Sequence, residues 1–183
     1  MSRLALVVAC LALSLAFPAR AADPPRTPVE GVDAPNVVVV SDTWVTSGQP
    51  TAASLAQLAR HGYKAVVYLA PPTVPDAVAA EPELVRSQGL AFVNIPIAWS
   101  DPKAADFAAF AVAMDRFKGQ KVLVHCQANM RASAMTFLYR VIEGREDPEQ
   151  AWETVQEIWT PEGVWRDFVN ARLQAAGIAF RAD

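Results

Sequence analysis

The stretch from Lys121 to Ile142 constrains the fold more than any other. It opens with "KVLV", an aliphatic, β-branched run suited to a buried strand, reaches His125 and Cys126, and after four further residues arrives at Arg131. Beyond Arg131 the apolar residues Met135, Leu138, Tyr139 and Ile142 recur at i, i+3, i+4 and i+7, one face of an amphipathic helix that stops near Gly144. A buried strand that turns within a few residues into a packed helix is the building unit of an α/β layer.

The rest of the chain repeats this alternation. "NVVVV" and "TWVTSG" read as short strands, and "PTAASLAQLARHG" reads as one helix with Thr51 as N-cap and Gly62 as its stop. The strand "KAVVYL" follows, then the Pro-rich loop "APPTVPD", a helical stretch containing "EPELVRSQG", and the strand "LAFVNIPI". A loop "AWSDP" leads to a helix from about Lys103 to Lys118, with Phe107, Phe110, Met114 and Phe117 at helical spacing. Two last helices start near Pro148 and Pro161, and their Trp152, Ile158, Trp165 and Phe168 suit a core. The expected fold is therefore α/β, with a mostly parallel central sheet flanked by helices. At 183 residues, 52% hydrophobic and 19% charged, the chain is long enough for one domain with a sizeable core.

The N-terminus carries Arg3, an apolar stretch from Leu4 to Phe17, and Ala19 and Ala21 in A-x-A spacing. This pattern predicts a secretory signal peptide over residues 1–21, cleaved after Ala21, and hence a periplasmic or secreted protein. About 14 apolar residues fall short of the roughly 20 a spanning helix needs, so no membrane anchor is expected after cleavage. Residues 22–35, rich in Pro, Asp and Ala, read as a flexible leader ahead of a domain over 36–180. The 16 basic and 19 acidic residues give a net charge of −3, and cleavage removes Arg3 and Arg20. Such a surface favours neither nucleic acid nor anionic lipid. Cleavage also removes Cys10 and leaves Cys126 as the sole cysteine, either a buried inert residue or a reactive thiol.

A strand-to-helix turn aims successive backbone N–H groups at one spot and makes it an anion site. A thiol there, close to Arg131, is favoured as the nucleophilic thiolate. The planar fork of Arg131 suits two oxygens of a phosphate in a way Lys does not reproduce. His125, at the end of a buried strand, is read as fixing the loop by a backbone hydrogen bond in preference to acting as general base. No metal and no cofactor is called for.

Strand, His125-Cys126, tight loop, Arg131, Ser133 and helix together resemble the phosphate-binding loop of the cysteine-dependent protein tyrosine and dual-specificity phosphatases. Upstream, "TSGQPTAASLAQLARHGYKAVVYL" is similar to the start of the bacterial phosphatases of the β-lactamase-hydrolase-like group. The resemblance implies a dual-specificity-phosphatase-like fold and a metal-independent phosphoester hydrolase. It implies that Cys126 attacks phosphorus, that the loop of Gln127, Ala128, Asn129 and Met130 holds the phosphoryl oxygens with Arg131, and that the Ser133 hydroxyl supports the thiolate. On the loop after the preceding strand it implies Asp101 as general acid, with Asp106 a more distant choice; Asp101 before Pro102 also fits a helix N-cap. Trp99 beside it is read either as a wall of the cleft or as part of the core. The implied substrate is a phosphorylated protein or a small-molecule phosphoester.

Two departures stand out. The broad family has five residues between Cys and Arg where this chain has four, and Asn129 replaces the family glycine three positions after Cys. Asn is the non-Gly residue best able to take a left-handed conformation. The shorter loop also occurs in rhodanese-type sulfurtransferases, which leaves sulfur transfer through a Cys126 persulfide as an alternative, and a phosphate-binding module without turnover as another.

Overall fold

The computed structural model describes residues 28–183. The elements, in chain order, are β1 (Val38–Ser41), β2 (Trp44–Ser47), α1 (Ala52–Leu55), β3 (Ala65–Tyr68), α2 (Glu81–Arg86), β4 (Ala91–Asn94), α3 (Ala104–Arg116), β5 (Val122–His125), α4 (Met130–Ile142), α5 (Pro148–Gln156) and α6 (Gly163–Ala175). The strands form one sheet in the order β1-β2-β5-β3-β4, with β1 antiparallel to β2 and all other pairs parallel. The expected mostly parallel α/β architecture is therefore the one observed.

β5 lies at the centre, paired with β2 on one side and β3 on the other, and all its residues are buried. That position explains its aliphatic sequence, since a central parallel strand meets core on both faces. Val122 and Val124 face a core built with Phe107, Phe110 and Met114 of α3, Met135 and Leu138 of α4, and Trp152, Trp165 and Phe168. Leu123, pointing to the other face, packs with Val45, Val66, Leu55, Leu58, Tyr63 and Val85. Because β2, β3, β4 and β5 run parallel, their carboxyl ends Ser47, Tyr68, Asn94 and His125 share one sheet edge, and the loops that follow converge there.

Two expectations are corrected. The single helix expected after Thr51 is broken: Thr51 caps it as anticipated, its Oγ1 accepting from Ser54 N at 3.2 Å, but α1 lasts one turn and a 3₁₀ turn over Leu58–His61 follows, closed by Gly62 at φ 84°. Gln88 is the wedge. Its Nε2 donates to Leu55 O at 2.7 Å and its Oε1 accepts from Ala59 N at 3.1 Å, taking up the two groups that a continuous helix would join to each other. The leader is packed from its described part onwards: Val32 is fully buried, Thr51 N donates to Asp33 O at 3.0 Å, and Ser54 Oγ donates to Gly31 O at 2.8 Å. Two apolar residues, Val32 and Ala34, are too short a signal to read as structure among prolines and aspartates. The expected signal peptide lies outside the described residues. Among the described residues no helix is long and apolar enough to cross a membrane.

Candidate active site

Cys126 follows β5 directly and is 1% exposed, its N–H donating to Ser47 O at 3.2 Å on β2. The chain then curls through Gln127, Ala128 and Asn129 into α4. Asn129 takes the left-handed conformation expected of it, with φ 68°. The loop is tied down by residues distant in sequence: Asn129 Nδ2 donates to Asn36 O at 2.6 Å and to Thr46 Oγ1 at 2.9 Å, Asn36 Nδ2 to Ala128 O at 3.0 Å, and Gln49 N to Gln127 O at 2.9 Å. Gly48 lies so close that a Cβ there would sit 2.7 Å from Gln127 O. The "SGQPT" segment thus serves as the floor of the loop.

With the carbonyls so engaged, the N–H groups of Gln127, Ala128, Met130, Arg131 and Ala132 donate to no acceptor among the described residues. They are the orphan donors of a loop and a helix start, an arrangement suited to an anion. Arg131 is 5% exposed; its Nε donates to Ile97 O at 3.1 Å, and its guanidinium carbon lies 5.2 Å from the centre of the Trp99 ring. The bond to Ile97 fixes the plane of the guanidinium and leaves both terminal nitrogens for a ligand. Trp99, Cys126, Gln127, Ala128, Met130 and Arg131 line a cleft of about 440 Å³. Trp99 is anchored behind the cleft, its carbonyl accepting from Trp165 Nε1 at 2.9 Å and its ring tilted against Trp159 and Trp165. It therefore plays both parts read for it, wall and packing.

The other expected residues fall differently. His125 is fully buried, but its side chain makes no backbone bond among the described residues; Nε2 meets Glu81 Oε1 at 2.5 Å and the ring stacks on Tyr68 at 4.7 Å. The Ser133 hydroxyl donates to Met130 O at 3.0 Å and accepts from Trp159 Nε1 at 3.2 Å, so it braces the first turn of α4 in the described state. Asp101 does not line the cleft: its carboxylate pairs with Lys103 Nζ at 2.5 Å and is 62% exposed. Nor does it cap α3, whose N-cap is Lys103, with Asp106 Oδ2 accepting from Lys103 N at 2.8 Å. That bond gives Asp106 a capping role.

Asn36, Thr46, Gly48, Gln49, Asp76 and Glu81 join the site without a signal of their own in the sequence. Asp76 sits on the loop after β3, and its Oδ1 accepts from Gln127 Nε2 at 2.8 Å on the cleft lining. Tyr68 reports the crowding of this edge: its phenol is pushed up to about 12, first by burial and then by the negative charges of Glu81, Asp76 and Cys126, with Arg131 opposing. Only the "SGQPT" likeness pointed towards any of these residues.

A parallel sheet with a cysteine loop at its carboxyl edge places the chain in the tyrosine and dual-specificity phosphatase fold class. TpbA of P. aeruginosa, solved with pTyr, shares that fold at TM-score 0.55 and 19% identity, the match covering 75% of this chain and 80% of that one. Much nearer is a DUF442 candidate phosphatase from Shewanella putrefaciens CN-32, whose crystal structures match at TM-scores of 0.69 and 0.72 with 33% and 30% identity. These matches cover 78% and 80% of this chain and 89% and 95% of theirs. A profile of the family described as "DSP-PTPase phosphatase fused to NAD+ Kinase" matches residues 35–166, and the chain belongs to that family. The β-lactamase hydrolase-like proteins of two Xylella fastidiosa strains are 34% identical over 113 residues, 60% of this chain and 26% of theirs. The chain thus spans about a quarter of the length of the curated relatives it matches.

Proposed function

We propose that this protein is a phosphoester hydrolase acting through a phosphocysteine at Cys126. The observation that carries the reading is the convergence of free loop N–H groups and the Arg131 fork on one cleft floored by a thiol. A phosphoryl group seated there places its non-bridging oxygens on those donors, leaving phosphorus open to the sulfur. The S–P bond forms as the P–O bond to the leaving group breaks; the leaving oxygen takes a proton, and water then attacks phosphorus to release phosphate and restore the thiolate. Phosphoryl transfer asks the protein mainly for positioning and charge stabilisation, which the amides and Arg131 supply without a metal. Family membership supports the reaction class, and the pTyr bound to TpbA supports a phosphoester as substrate.

Two carboxylates are candidates for the proton, and neither lines the cleft: Asp76 stands beside it, bound to its Gln127 lining, and Asp101 reaches the leaving group only by releasing Lys103 and turning inwards. The two are separated by leaving-group dependence: loss of the true donor slows esters of poor leaving groups roughly 10²-fold or more and spares good ones. Asp101→Asn and Asp76→Asn, assayed across a series of aryl phosphates, identify the donor; equal effects across the series in both variants contradict a carboxylate donor at either position.

The four-residue loop favours a second reading, sulfur transfer through a Cys126 persulfide. Side-by-side assay of the protein on an aryl phosphate and on thiosulfate with cyanide decides between them. Turnover of neither, with phosphate bound, identifies a binding module. Export by the N-terminal segment over residues 1–21 is part of the proposal; the exported chain then starts at Ala22, which intact mass of periplasmic material checks.

A further inference from the structure

Glu81 is the one buried carboxylate among the described residues, 2% exposed at the first turn of α2, and the proposed phosphoryl chemistry has no use for it. A carboxylate withdrawn from water costs several kcal/mol unless its oxygens are matched by donors. Both are matched, and by residues of the active-site edge: Oε1 by His125 Nε2 at 2.5 Å, and Oε2 by Gln49 Nε2 at 2.9 Å. An ionised carboxylate only accepts, so in this contact the ring carries a proton on Nε2, while Nδ1 is buried and without a partner among the described residues.

The main chains of the same two partners hold the nucleophile's loop. His125 is joined directly to Cys126, whose N–H donates to Ser47 O, and Gln49 N donates to Gln127 O. A closed ring of bonds therefore runs from Glu81 through His125, Cys126 and Gln127 to Gln49 and back to Glu81. It passes across β5 and the end of β2, so a displacement of either strand end is felt by the carboxylate. We infer that Glu81 is a positioning residue: by holding His125 in its Nε2–H form and Gln49 at the same time, it sets the height and rotation of Cys126 and the Gln127 peptide under the cleft. Its effect on turnover rests on the proposed reaction; its effect on the thiol does not.

Glu81→Gln tests this, because the amide keeps the size but replaces one of the two acceptor oxygens with an NH₂ group that only donates. Only one of the two N–H partners can then be satisfied unless His125 moves its proton to Nδ1. Misplacing a reacting group by a fraction of an ångström to about 1 Å lowers rates by roughly tenfold to a hundredfold. The expected result is a fall of that order in kcat for an aryl phosphate with KM within about twofold, and an equal slowing of Cys126 alkylation by iodoacetamide. In ¹H–¹⁵N imidazole spectra, a far-downfield His125 Nε2–H signal should be present in the wild type and in Cys126→Ser and absent from Glu81→Gln. Gln49→Met cuts only the other arm; it should keep the signal and give a smaller loss of alkylation rate. A folded Glu81→Gln with unchanged alkylation and an unchanged His125 signal overturns the inference. If Glu81→Gln does not fold, unchanged alkylation in Gln49→Met overturns it instead. Alkylation that depends on Glu81 in a protein that hydrolyses no phosphate would leave the positioning role standing and remove the phosphatase reading.

Discussion

Two loops leave the same sheet edge and border the same cleft, yet they are built in opposite ways. The loop after β5 is held from Asn36, Thr46, Ser47 and Gln49, and Asn129 within it is fully buried. The loop after β4 is anchored at Ile97 by Arg131 and at Trp99 by Trp165, but its Asp101 stands in solvent, paired with Lys103. An exposed pair of this kind contributes little and exchanges freely. The donors of the proposed anion site are fixed by the fold, whereas neither candidate for the proposed proton transfer, Asp76 or Asp101, lines the cleft. Such preorganisation is where phosphoryl-transfer catalysis draws most of its effect.

The largest expected effect comes from the preorganised side. Cys126→Ser should lower aryl phosphate hydrolysis by about 10⁴-fold or more, since serine keeps the shape but offers no anion at neutral pH. Arg131→Lys should cost about 10²–10³-fold, because the charge stays and the two-pronged grip is lost. If either variant keeps near-wild-type turnover in steady-state assays, the cradle is not the reacting site.

Next come the ties of the loop. Asn129→Ala forces an ordinary side chain into φ 68° and removes two hydrogen bonds, an expected loss of roughly 2–4 kcal/mol in denaturant unfolding. Asn129→Gly should recover the conformational part only. Gly48→Ala should displace the Gln127 carbonyl and reduce activity about tenfold, with a lower melting temperature. An Asn129→Ala protein as stable as the wild type would remove the distinction between the two loops.

The smallest effect is alkaline. Tyr68, with its phenol pushed up to about 12, keeps in the native state a proton that the unfolded chain releases near pH 10. Its contribution to stability is whole below about pH 10 and is lost as pH rises towards 12. In denaturant titrations across that window Tyr68→Phe should lose stability less steeply than the wild type; identical slopes would contradict the assignment.

The sheet, α3 and α4 were legible because each carries its period within one short window, and the strand-turn-helix at Cys126 was legible for the same reason. The supporting residues were not, because their contacts join positions far apart: 92 residues separate Asn36 from Ala128, and 44 separate Glu81 from His125. Buried polar partners leave no periodic trace in a sequence. The break after α1 was equally hidden, since it depends on the amide of Gln88 lying 33 residues from Leu55. The orientation of Asp101 was hidden for a simpler reason: a place on the loop after β4 says nothing about which way an exposed carboxylate turns.

In the proposed reaction Cys126 takes the phosphoryl group. Rapid quench of the protein with an aryl phosphate in acid, followed by peptide mass analysis, tests it most directly. The expected result is one phosphoryl group on the peptide containing Cys126, formed at the rate of the phenol burst and absent from Cys126→Ser. Phosphate release with that peptide unmodified at every time, or the gain of a single sulfur from thiosulfate with none from phosphate esters, would contradict it.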